Sequence, residues 1–184
     1  MHKLKLYGLG GQGVVTASKI LARAVSIYEH RYAKSLPAYG HERRGAPVFA
    51  DVMIDDQVIL LNTFVYDPHY VLVFDPSVVD KGIDIKPGVG QKAVLVVNAE
   101  KPQALARLAQ DQIWKEIYYV NATRIALNVI GRDIPNSAML GALAKTGLVK
   151  IESVCHSLRE TFGSKEGETN ARAATNAYHQ TQKA

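Results

Sequence analysis

Two clusters hold the residue types and spacings that can do chemistry. The first is Gly8-Leu9-Gly10-Gly11-Gln12-Gly13, which fits G-x-G-x-x-G between a strand pattern and a helix pattern. Glycines permit left-handed backbone and close approach, and a helix start offers unpaired N–H groups to an anion. A dinucleotide site also needs an acid roughly 20 residues on, at the end of the second strand, to hold the ribose. The residues there are Tyr32-Ala33-Lys34-Ser35, without a carboxylate. G-x-x-x-x-G-K-[ST] is absent, which excludes a P-loop. Three uses stay open for the glycine loop: a dinucleotide, another phosphate-bearing group, or a turn that only lets the helix approach the sheet.

The second cluster runs from Leu36 to Pro47 and contains Tyr39, Gly40, His41, Glu42, Arg43, Arg44 and Gly45. A loop of this length inside a compact domain is uncommon without a function. Its prolines and glycines set the path, Tyr39 offers an aromatic face, and adjacent arginines can grip a phosphate or carboxylate bidentately. The plainer alternative is that Glu42 neutralises one arginine while the chain turns a corner. Elsewhere the inventory is thin. His41, His69, His156 and His179 share no metal spacing, Asp55-Asp56 suits a hairpin turn, and Asp75 suits a helix cap. Cys155, the single cysteine, reads as an inert core thiol and excludes a disulfide framework, a cysteine-ligated cluster and a CxxC pair. No nucleophile, base and orienting group come together, so no catalytic residue is assigned.

Charge points the same way. Residues 1–46 hold eight Lys or Arg against Glu29 and Glu42, while the remaining chain holds fourteen against fifteen acids. The excess in the first quarter suits an anionic partner: nucleic acid, a phosphorylated ligand or an acidic protein face. Solvated surface lysines at Lys3, Lys5 and Lys19 are the bland alternative. Too few aromatics (Tyr7, Tyr32, Tyr39) accompany these charges for a nucleic-acid sheet. No apolar run approaches the roughly 18 residues of a membrane helix. The opening residues enter a strand pattern directly, and a cytoplasmic setting is expected.

The elements that must position these clusters follow from periodicity. Leu4–Tyr7 alternates as a strand, and Val14–Ile27 repeats at helical spacing. Tyr32–Ser35 is a short strand, Val48–Ile54 alternates, and Gln57–Leu61 is expected as its hairpin partner. Tyr70–Phe74 and Ala93–Val97 are continuous apolar runs suited to strands buried on both faces. Glu116–Val120 is a weaker strand. Helices are expected over Thr123–Val129, Ala138–Leu148 and Lys150–Phe162. The polar tail, Glu166–His179, has only alanines and Tyr178 on one face, so it should be frayed or docked on a partner. With 184 residues, enough for a single domain burying roughly 70% of its surface, this alternation predicts one α/β domain over 1–184. The architecture expected is Rossmann-like and three-layered, with a mainly parallel sheet and an inserted antiparallel hairpin.

Gly8–Gly13 continued through Val14, Ala17 and Leu21, with Pro37–Pro47 and the Ile54-Asp55-Asp56 turn, resembles the gamma subunit of the 2-oxoacid:acceptor (pyruvate:ferredoxin type) oxidoreductases. The approach Tyr66-Asp67-Pro68-His69-Tyr70 agrees, and the likeness spans the whole chain. It implies a complex that oxidatively decarboxylates a 2-oxoacid to an acyl-coenzyme A. Thiamine diphosphate, magnesium and iron–sulfur clusters would reside in alpha, beta and delta-type partner chains, with ferredoxin or an NAD-linked acceptor downstream. This chain would hold no cofactor alone, support assembly and border the coenzyme A entry. Gly8, Gly10, Gly11, Gln12, Gly13, Tyr39, Arg43 and Arg44 would face coenzyme A, with Glu42, Arg43 and Arg44 as the alternative interface to a sister chain. No nucleic acid and no membrane is implied. The competing reading is a stand-alone Rossmann-type, nucleotide-dependent oxidoreductase.

Overall fold

A computed structural model describes residues 1–38, 44–105, 108 and 113–184. Among the described residues seven strands form one sheet: β1 His2–Leu9, β2 Tyr32–Pro37, β3 Pro47–Asp55, β4 Tyr70–Val73, β5 Ala93–Asn98, β6 Trp114–Val120 and β7 Gln182–Lys183. Their spatial order is β2-β3-β1-β4-β5-β6-β7. The four strands β1, β4, β5 and β6 run parallel, while β3 lies antiparallel between β1 and β2, and β7 antiparallel on β6.

Among the described residues the bounded α-helices are α1 Val14–Arg23, continued by a π-helical stretch Ala24–Tyr28, α2 Ala122–Ile130, α3 Asn136–Ala144, α4 Ile151–Phe162 and α5 Ser164–Gln180. All five contribute to one core with Leu4, Leu6, Val52, Leu72 and Val96 from a single face of the sheet. α3 is buried on every side, which its run Ala138-Met139-Leu140-Gly141-Ala142-Leu143 permits. The opposite face buries Tyr7, Val71, Val73, Leu95 and Val97. Among the described residues its cover includes the 3-10 turns Pro76–Val78 and Pro102–Leu105 and the helical residue Leu108.

Two expectations need correction. Gln57–Leu61 is not a strand. Both edges of β3 are already taken, by β1 and β2, so the antiparallel hairpin is β2–β3, with Tyr32 opposite Asp55 and Pro37 opposite Ala50. The chain leaves the sheet because the Asp55 carboxylate accepts the N–H groups of Asp56 and Gln57. The polar tail is not frayed: it forms α5, one face of which packs on the chain's own helices. Gly167, Ala171, Ala173, Ala174 and Ala177 of α5 are buried against the chain's own α3 and α4. Small residues allow this close docking. A Cβ on Gly141 would fall 2.0 Å from the Ala174 carbonyl oxygen, and one on Gly167 would fall 2.6 Å from Arg159 Cα. Among the described residues, no helix is long and apolar enough to cross a membrane.

Candidate functional site

The glycine loop turns from the end of β1 into α1. A Cβ at Gly8 would meet Val14 at 2.6 Å and Phe74 at 2.9 Å, so glycine is what lets β1, β4 and α1 converge. Gln12 closes the turn from within. Its Oε1 accepts from the Leu9 N–H at 2.8 Å, and its Nε2 donates to Asp75 Oδ2 at 2.8 Å. Gln12 thus has two partners inside the fold, although the sequence reading placed it toward a ligand. Asp75 caps the turn after β4, accepting from the Ser77 N–H, as expected for an acid at a strand end. Gly13, at φ +75°, precedes α1 without a side-chain cap. Among the described residues, the first-turn N–H groups of Val14, Val15 and Thr16 have no partner. That end of α1 is a positive, unsatisfied donor set.

The tertiary structure joins the two clusters. Gly10 donates to the Ala46 carbonyl at 2.8 Å, and Gly45 donates to the Gly10 carbonyl at 3.1 Å. This exchange places Arg44 against the glycine loop, its Cγ 3.7 Å from where a Cβ of Gly11 would stand. Arg44 is exposed and forms no ion pair with a described residue. Tyr39, Gly40, His41, Glu42 and Arg43 lie outside the described residues.

A groove of about 400 Å³ opens along the loop, lined by Gly10, Gly11, Gly13, Thr16, Asn136 and Phe162 among others. It shares Ile134, Asn136 and Phe162 with a neighbouring cavity of about 290 Å³ that reaches Arg132 and Lys165. The sequence reading missed these residues: it took Asp133–Ser137 only as the break between two helices. The proline and the Asn136-Ser137 pair are the signal for a turn, but nothing local says that the turn lies beside Gly13.

Most of the basic excess is used inside the fold. Lys3 pairs with Asp67, Lys5 with Asp51, Arg23 with Glu160, and Arg31 with Asp56, while Lys34 donates to the Leu61 carbonyl. Asp51, fully buried, was also missed. Its carboxylate accepts from the Val65 N–H at 2.7 Å and lies 3.3 Å from the Lys5 ammonium. Burial pushes its pKa up, with Val65 and Lys5 opposing. The pair fastens the segment after β3 to the sheet. Cys155 is buried beside the Ala171 carbonyl and the Thr175 hydroxyl, in keeping with a core thiol. Among the described residues no cluster of His, Cys, Asp and Glu suits a metal ion.

The topology also bears on a dinucleotide. The strand parallel and adjacent to β1 is β4, and the acid beyond its end, Asp75, is already held by Gln12 and Ser77. β2 is separated from β1 by β3.

A family model described as pyruvate ferredoxin/flavodoxin oxidoreductase matches residues 3–180. The chain is 44% identical over 185 residues to the common gamma subunit of the pyruvate/ketoisovalerate oxidoreductases of Pyrococcus furiosus, covering 99% of this chain and 98% of that one. It is 40% identical over 181 residues to pyruvate synthase subunit PorC of Methanocaldococcus jannaschii, with 98% and 97% covered. The crystal structure of pyruvate oxidoreductase subunit PORC from Thermotoga maritima superposes with a TM-score of 0.84 at 31% identity, covering 100% of this chain and 98% of that chain. A 2-oxoglutarate:ferredoxin oxidoreductase from Magnetococcus marinus shares the fold at a TM-score of 0.74 and 16% identity, covering 97% of this chain and 30% of that one.

Proposed function

The chain belongs to the pyruvate ferredoxin/flavodoxin oxidoreductase family, and on that premise we propose that it is the gamma-type subunit of a multi-subunit 2-oxoacid oxidoreductase. It supports assembly and presents the glycine loop and Arg44 to coenzyme A, while the decarboxylation and electron transfer take place in partner chains. The observation that carries the coenzyme A reading is the Gly10–Ala46 and Gly45–Gly10 exchange. It sets the Arg44 side chain, which forms no ion pair with a described residue, beside a glycine loop and an uncapped helix start. Phosphate groups suit such a donor set.

The division of labour follows from this chain's own residues. An iron–sulfur cluster needs several thiolates, and the chain has one cysteine, buried between α4 and α5. Its residues do not fit such a cluster, and thiamine diphosphate, magnesium and clusters are assigned to alpha, beta and delta-type subunits. Arg43 and Tyr39 are assigned to the coenzyme A side with Arg44, and Glu42 to the contact with a sister chain. The acceptor is ferredoxin or an NAD-linked carrier, and the setting is the cytoplasm.

The test is Arg43→Ala/Arg44→Ala in the purified complex. A raised apparent coenzyme A constant with intact assembly supports the coenzyme A reading. Loss of assembly assigns the arginines to a subunit interface, and an unchanged constant in an intact complex overturns the coenzyme A assignment.

A further inference from the structure

Residues 57–66, between β3 and β4, include no charged side chain. Seven of these ten are large and apolar, yet only Val65 is buried: Leu60 is 87% exposed, Tyr66 71% and Val58 61%. Apolar surface left in water gains nothing for the isolated fold, and a patch of it marks a place where something else docks.

The segment is nonetheless fixed, and by polar means. It crosses three strands as a ribbon. Lys34 of β2 donates to the Leu61 carbonyl, Asp51 of β3 accepts from the Val65 N–H, and Lys5 of β1 donates to the Val65 carbonyl. Asp51 is fully buried in this role, and its Oδ1 accepts no hydrogen bond from a described residue. A buried carboxylate is a costly anchor, and what it holds in place is a row of outward-facing apolar side chains. Phe64 of the ribbon meets Phe49 of β3 edge to face, their centroids 6.4 Å apart, so ribbon and strand present one surface.

Size and charge describe what fits it. Phe49, Val58, Leu60, Leu61, Phe64 and Tyr66 together expose roughly 600 Å² at the side-chain areas usual for such residues. That approaches the roughly 800 Å² each partner gives to a standard interface. The charges at the two ends are neutralised within the chain, Arg31 by Asp56 and Lys3 by Asp67. The matching face is therefore uncharged and apolar. A second copy of this chain is the poorer match. The free edge beside the ribbon is β2, whose Lys34 and Pro37 hinder edge-to-edge pairing. A two-fold dimer would also bring both copies of Lys34 into one interface.

We infer that residues 57–66, with Phe49, form the docking surface for a sister subunit of the complex that meets them with an uncharged apolar face. This rests on the reading of the chain as a subunit and adds where it docks. The surface includes neither the glycine loop nor Arg44. The polar clamp orders the ribbon on folding, which lowers the ordering cost of association.

The test is co-expression of the tagged full chain with the alpha, beta and delta-type chains of its complex, followed by recovery of the assembly. Leu60→Glu/Tyr66→Glu charges the two most exposed of these side chains. Recovery of the partner chains should fall about tenfold or more, the size of a lost central contact, while the chain alone keeps its melting temperature. Leu127→Glu, at an exposed position of α2 on the helical face, should leave recovery unchanged. Undiminished recovery with the double variant would overturn the inference and leave the subunit reading standing, and so would an equal loss with Leu127→Glu. No recovery with the wild-type chain would overturn both. A chain that sediments alone as a dimer, and as a monomer in the double variant, would give the ribbon to a second copy and overturn the sister-subunit assignment. If the double variant melts early, Leu60→Glu alone decides.

Discussion

The two faces of the sheet are covered in opposite ways, although the same strands supply both. On one face, small residues let helices pack almost backbone to backbone, as where Gly141 meets the Ala174 carbonyl. On the other, beneath β1 and β3, no described helix is present. Residues 56–69 cross there as extended chain, tied by Asp51 to the Val65 N–H and by Lys5 to the Val65 carbonyl. Much of its apolar content faces outward, and Leu60 is 87% exposed. Close packing serves where volume can be matched, while a polar clamp serves where there is little apolar contact to gain. The first is sensitive to added atoms and the second to a lost hydrogen-bond acceptor.

That contrast can be broken in order of expected effect. Asp51→Ala removes an acceptor from a buried N–H and the partner of a largely buried ammonium, and should cost about 3–5 kcal/mol. Its melting temperature should drop, with new protease cleavage between residues 56 and 69. An unchanged cleavage pattern would mean that the clamp does not hold this segment. Gly141→Ala should cost about 1–3 kcal/mol by forcing α3 and α5 apart, measurable by urea denaturation. The clamp variant should open locally, the helix variant globally.

Acidity distinguishes two kinds of carboxylate. The folded state raises the Asp51 pKa above its ordinary 3.8, so its contribution favours the fold at low pH and declines as pH rises from 3.8 through the folded value. Wild-type stability minus that of Asp51→Asn should therefore fall between acidic and neutral pH. Asp67 is held below 3.8 by its hydrogen bonds from Lys3, so its contribution is present above that pH and fades on acidification below it. Asp67→Asn should thus show a pH trend of opposite sign and, at an exposed site, smaller size. The smallest effect belongs to Leu60→Ser, within about 0.5 kcal/mol. A larger loss in thermal melts would show that the outer surface of this segment contributes to the fold.

Strand identity and most helix positions were legible because burial imposes periodicity on local sequence. The continuous apolar runs before Asp75 and Asn98 became β4 and β5, and Val14–Ile27 became α1 and the π-helical stretch that follows it. The partner of β3 was not legible. An alternating strand records only which face is buried, and Gln57–Leu61 was as plausible a neighbour by distance along the chain as Tyr32–Pro37. Nor was the docking of α5 legible, since alanine and glycine carry little hydrophobic signal while allowing the closest approach.

The sequence by itself determined the family, the presence of an uncapped glycine turn and the absence of thiolates for a cluster, because these depend on residue type and short spacing. Only the tertiary structure decided that Ala46 bonds to Gly10, that Asn136 stands over Gly13, and that Lys5 lies opposite Asp51. Those contacts join residues 36 to 123 positions apart, and their pairing is set by sheet order and helix packing, which no local pattern encodes.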